Sequence, residues 1–95
     1  MTDSVYRFKN EDFVLREVGN ELVLVPLVNN IFDMTNVMTL NEVASEILKA
    51  LDGETSVNEI YESLFLKFEV EKNTLEKDIL NFIESAKEKK IIELM

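Results

Sequence analysis

The hydrophobic period of this chain changes once, near Asn41, and that change limits the folds open to it. Ahead of Asn41 the apolar residues come in short strand-like runs. Phe13 to Val18 (FVLREV) and Glu21 to Leu27 (ELVLVPL) flank Gly19-Asn20, a pair that suits a tight turn because Gly tolerates positive φ. Pro26 cannot donate a ladder hydrogen bond, so it belongs at a strand end or an outer edge. Asn29-Asn30 breaks the pattern, and Ile31–Met34 with Val37–Leu40 reads as a second hairpin with Thr35-Asn36 at its tip. The first twelve residues, with Tyr6 and Phe8 alternating about Arg7, form either a loose arm or one more short strand.

Beyond Leu40 the period is 3.6. Asn41 is a suitable N-cap, Val43, Ile47, Leu48 and Leu51 share one helical face, and Gly53 supplies the stop. Ser56-Val57-Asn58-Glu59 has capping-box spacing, followed by the stripe Val57, Ile60, Tyr61, Leu64, Phe65 and Phe68. Asn73-Thr74-Leu75-Glu76 repeats that spacing ahead of Leu75, Ile79, Phe82, Ile83 and Ala86. Ile91-Ile92-Glu93-Leu94 is apolar enough to close the fold as a short strand or packed segment. The expected fold is α+β: a small antiparallel sheet of three or four strands followed by a three-helix bundle, winged helix-turn-helix-like. The whole of residues 1–95 reads as a single domain, with residues 1–12 as its arm.

Composition removes several function classes. Cys and His are both absent, which excludes thiolate zinc sites and cysteine nucleophiles and takes away the commonest general base. No catalytic residue, metal site or cofactor is expected. The formal net charge of −9 repels phosphate backbones and anionic membranes, so no nucleic acid or membrane partner is expected either. Met1-Thr2-Asp3-Ser4 has no secretory character, which gives the expectation of a cytoplasmic protein. Glu11-Asp12 and Glu69 with Glu71 read as solvated turns, lacking the spacing of a calcium loop.

The string Met38-Thr39-Leu40-Asn41, leading through Glu42-Val43-Ala44 to Leu51-Asp52-Gly53, resembles the middle of PqqD-like proteins. Ser56-Val57-Asn58-Glu59-Ile60 is similar to that family's next helix start, and Asp78-Ile79, Phe82-Ile83 and Ile91-Ile92 to its last helix and closing segment. The resemblance spans roughly residues 13 to 94, with two departures: Lys90 stands where the family usually has Gly, and the 31–40 hairpin is longer. What it implies is a non-catalytic recognition element for the leader segment of a ribosomally made precursor peptide. The leader would add as a strand and be presented to a partner maturation enzyme, often a radical SAM protein.

Strand addition is physically sound, because an edge strand offers unpaired N–H and C=O groups. Each such bond contributes only about 0.5–1.5 kcal/mol net, so apolar anchors beside the edge are also required. Val37, Met38, Thr39 and Leu40 are the candidate edge. Alternation points Leu40 to the core, puts Met38 in the core or at a groove margin, and leaves Val37 and Thr39 to offer backbone. Leu80 lies about 140° around the helix from Leu75, outside the core stripe, and is the candidate groove wall, with Ile83 on the shoulder. The one basic cluster, Lys87-Glu88-Lys89-Lys90, either complements the helix dipole or meets acidic leader residues near one groove end, with Lys87 as its candidate site residue. A monomer or weak homodimer is expected. The alternatives are a small structural or dimerising adaptor and a winged-helix DNA-binding protein.

Overall fold

Strands and helices interleave along the chain instead of separating into a sheet half and a helix half. The computed structural model describes residues 3–95. β1 (Val5–Phe8), β2 (Phe13–Val18), β3 (Glu21–Val28), β4 (Ile31–Phe32) and β5 (Met38–Leu40) precede α1 (Glu42–Ala50). β6 (Asp52–Ser56) separates α1 from α2 (Val57–Lys67), and β7 (Ile92–Leu94) follows α3 (Lys72–Glu88). The result is α+β with antiparallel sheets and three helices, but two strands lie among or after the helices.

Residues 1 and 2 of the expected arm lie outside the described residues. The remainder contains β1, the central strand of a sheet ordered β6-β1-β7. Tyr6, 8% exposed, joins the core from this strand. Gly53 does not stop α1, which ends at Ala50 with Leu51 as its cap. It sits instead in β6 at φ 84, inside an irregularity between the pairs Val5↔Ser56 and Arg7↔Asp52. A Cβ at Gly53 would stand 3.3 Å from the Arg7 Cβ, so both backbone conformation and space favour glycine there.

The second sheet is built on β3. β2 pairs with it through the hairpin Val18↔Glu21, where Gly19 at φ 65 takes the first turn position. The other edge of β3 carries β4 at Leu27 and Val28 and β5 at Leu22 to Leu24. Pro26 is therefore inside β3, not at its end. It lies opposite Phe13, the first residue of β2, and between the stretches paired with β5 and β4, where a missing N–H interrupts little.

The hairpin expected across 31–40 does not form. Its tight turn is instead Asn29-Asn30, both left-handed at φ 53 and 65, which folds β4 back onto β3. Thr35 and Asn36 lack the positive φ of a two-residue hairpin loop. They belong to a 3₁₀ turn, Met34–Asn36, closed by the Asp33 carboxylate, which accepts from the Thr35 N–H at 3.1 Å and the Asn36 side-chain amide at 2.8 Å. That turn delivers β5 to β3.

The helices follow their sequence stripes except at Phe65, which is 42% exposed and stacks on Tyr61 with ring centroids 6.0 Å apart. Ile47, Leu48 and Leu51, Val57, Ile60, Tyr61 and Leu64, and Leu75, Ile79, Ile83 and Ala86 meet in one core with Leu24, Leu40, Ile91 and Ile92. Asn41 caps α1 by accepting from the Ala44 N–H at 2.7 Å, and Ser56 with Glu59 forms the expected capping box on α2. α3 differs. It begins at Lys72 behind Glu71 and has no side-chain cap, because Asn73 is already helical and cannot act as N-cap.

Its C-terminus explains the Lys90 departure. The Ile91 N–H donates to the Ala86 carbonyl at 2.9 Å and the Lys90 N–H to the Lys87 carbonyl at 3.1 Å, the paired bonds of a Schellman end. Lys90 occupies the left-handed position at φ 58, where a side chain costs roughly 1 kcal/mol. Lys90→Gly is expected to stabilise the protein by about 1 kcal/mol, raising the thermal midpoint by about 4–8 °C. An unchanged or lower midpoint in calorimetry would refute this account of the turn.

The start of β6 carries a pH dependence. The Asp52 carboxylate accepts from the Glu54 N–H at 2.9 Å and the Thr55 N–H at 2.8 Å, and these bonds hold it below its usual 3.8. A depressed carboxylate stabilises the fold fully above its unfolded value and loses that contribution as pH falls through the lower folded value. Wild-type stability should thus fall on acidification below about pH 4, and Asp52→Ala should fall less steeply over the same window. Melting curves at successive pH values compare the two slopes, and parallel slopes would count against it.

Candidate functional site: a groove between β5 and α3

Among the described residues β5 pairs on one side only, with β3. Beyond its other edge lies a groove whose far wall is α3. The middle is a cavity of about 160 Å³ framed by Leu24, Met38, Leu40, Ala44, Phe82, Ser85, Ala86 and Ile91. It shares Asn41, Ala44 and Phe82 with a cavity of about 220 Å³ that continues to Asp78 and Asn81. It shares Met38 and Ile91 with one of about 530 Å³ that continues past Val37 to Asp33 and Lys89.

Local structure accounts for each wall. The α3 side is the stripe Asp78, Phe82, Ser85 and Lys89, spaced i, i+4, i+7, i+11, adjoining the stripe that holds α3 in the core. Phe82 is half-buried, packing on the core with one part of its ring and reaching the groove with another. Ala44, in the first turn of α1, keeps the floor open because its side chain is small. The β5 wall is aimed by the Asp33 turn. The Thr35 hydroxyl and then the Asn36 amide hold the Asp33 carboxylate below its ordinary range, so it stays charged and engaged in that turn.

The expected site residues divide. Val37, Met38, Thr39 and Leu40 lie along the groove as a continuous wall, with Leu40 buried at 7% exposure, Met38 half-buried and Thr39 exposed. Leu80, Ile83 and Lys87 are not brought to it. Ile83 is buried in the core. Leu80 and Lys87, seven residues apart and hence on one face of α3, lie on another side of the helix from Phe82. The Lys87 ammonium sits 5.9 Å from the Tyr6 ring centroid, on β1 of the other sheet, and 3.8 Å from Glu84. Leu80 is 47% exposed and lines none of the three cavities. Sequence reasoning passed over Ala44, Asp78, Phe82 and Ser85 as groove residues, whereas Lys89 belongs to the basic cluster already considered as a contact for acidic leader residues. For Asp78, Phe82 and Ser85 the shared stripe on α3 was the available signal, masked because Phe82 also fits the core pattern.

Glu11 bonds Arg7, which also binds Glu93 at 2.6 Å, and the Arg7 bonds lower the Glu11 pKa while keeping the guanidinium charged. Among the described residues no cluster of three or more carboxylates is placed to hold a metal ion, and no helix is long and apolar enough to cross a membrane.

Fold and groove together define a class: a small α+β unit with one strand edge open beside the last long helix. The chain belongs to the PqqD family, described as coenzyme PQQ synthesis protein D, whose family model matches residues 21–92. Among solved structures the fold is similar to TbiB1, determined in complex with the TbiA(β) leader peptide. The two share 22% sequence identity and superpose with a TM-score of 0.70, over 92% of this chain and 94% of TbiB1. No curated protein matches the sequence.

Proposed function

We propose that this chain captures the leader segment of a ribosomally made precursor peptide and presents it to a separate modifying enzyme. The leader enters the groove as a strand added to the open edge of β5. The observation that carries this reading is the coincidence of that edge with an apolar floor made by Leu24, Met38, Phe82, Ala86 and Ile91. Micromolar binding needs roughly 8 kcal/mol, more than a few ladder bonds at about 1 kcal/mol each can supply. Burying leader side chains on the floor provides the remainder. Membership of the PqqD family and likeness to a leader-bound structure support the same reading. The role is binding and presentation without catalysis, and the family resemblance points to a radical SAM enzyme as the partner. We take the helices with the β2–β3 hairpin as a winged-helix-like unit turned to peptide capture in the cytoplasm, where the net charge of −9 disfavours DNA.

The test is an amide-shift titration of the labelled protein with the leader of a short open reading frame encoded beside its gene. Saturable shifts confined to residues 37–40 and 78–91 are expected. Saturable shifts on β2 or β7 instead, or no shifts with several such leaders, would overturn the reading.

A further inference from the structure

The two ends of the groove carry opposite, unpaired charges. Asp78 stands where it passes Asn41 and Asn81, and Lys89 where it passes Val37 and Ile91. Among the described residues neither has an ion-pair partner. Both are exposed at the groove mouth, whereas the floor between them is apolar. Asp33, which shares the Lys89 end, stays charged but has its carboxylate oxygens turned to Thr35 and Asn36, so Lys89 is the charged group there left free to bond a peptide side chain.

Lys89, the C-cap of α3, lies eleven positions after Asp78, a helical rise of about 16 Å. An extended peptide advances about 3.3 Å per residue, so about five residues span that distance. Side chains of such a strand alternate, so those at every second position face the floor. Among the described residues every strand pairing is antiparallel. A strand added antiparallel to β5 enters with its N-terminal end at Asp78 and leaves with its C-terminal end at Lys89.

We infer that the groove selects leaders by charge order: a segment with a basic residue on its N-terminal side and an acidic residue on its C-terminal side, flanking apolar residues at alternate positions. This rests on the groove being the leader site and adds the chemistry of what it accepts. Each exposed pair changes affinity by a factor of roughly two to five, so the correct order should be favoured over its reverse by about tenfold at low salt. The preference should shrink at 1 M salt, where the screening length is about 3 Å.

A library of random dodecapeptides selected on the wild-type protein, and in parallel on Asp78→Lys/Lys89→Glu, tests it. Expected is enrichment of basic–apolar–acidic order with the wild type and of the inverted order with the double variant. Both positions are exposed, so the variant should fold, which its amide spectrum reports directly. Enriched peptides without charge order, but shifting residues 37–40 and 78–91, would overturn the charge-order inference and leave leader capture standing. Enriched peptides that shift other surfaces, or no enrichment, would overturn both.

Discussion

Phe82→Ala is expected to weaken leader binding at least tenfold, whereas Leu80→Ala should leave it within twofold. The two residues are neighbours on α3 and both are large and apolar, so the pair isolates position on the helix as the variable. Phe82 frames two of the three groove cavities, and part of its ring is available to a bound peptide. Truncating it removes apolar area from the most enclosed part of the contact, where anchor residues commonly cost 1.4 kcal/mol or more, a factor of ten. Leu80 is 47% exposed on another face and lines none of these cavities. Because Phe82 also packs on the core, its truncation should cost roughly 1–2 kcal/mol of stability, which leaves the protein folded at 25 °C. Calorimetric titration of both variants with the same leader decides between the two faces. Loss in Leu80→Ala and retention in Phe82→Ala would move the site to the far side of α3.

The largest effect on stability is expected from Ile79→Ala, a loss of about 3–5 kcal/mol. Ile79 is 0% exposed at the middle of the α3 core stripe, where Leu75 and Ile83 flank it one turn away on each side. Removing three buried carbons forfeits their transfer free energy and leaves a cavity that surrounding helices can only partly fill. A protein of this size has about 5–15 kcal/mol in total, so about a fifth or more of the stability would go, with the thermal midpoint falling by roughly 15–25 °C. Denaturant unfolding gives the difference directly. A loss below about 1 kcal/mol would mean that α3 is not the helix that closes the core. The expectation also bears on the groove, since α3 forms one wall and its position is fixed by the same residues.

Much of this protein follows from short-range rules. Asn41 and the Ser56–Glu59 box start their helices because a side-chain oxygen three residues ahead of an N–H is a local arrangement, independent of the rest of the fold. The buried stripes of α2 and α3 follow from helical period for the same reason. Where a local signal failed, a competing one stood nearby. Thr35-Asn36 gave up the hairpin turn to Asn29-Asn30, and Asn73 gave up the cap to a helix that begins one residue before it.

What the sequence by itself determined is the inventory: three helices with their core faces, the β2–β3 hairpin, an apolar β5 leading to a capped α1, and a surface of net charge −9 without thiols or imidazoles. The tertiary structure alone decided which strands meet and what lies between them. β5 returns to β3 across the 3₁₀ turn, and β1 inserts between β6 and β7 from opposite parts of the chain. Such pairings are set by long-range register and loop closure, which no window of neighbouring residues encodes. The groove is further removed still, being the space left between β5 and α3. A helical wheel shows that Phe82 and Leu80 point apart, but only the packing of α3 on the core decides that Phe82 faces the open strand.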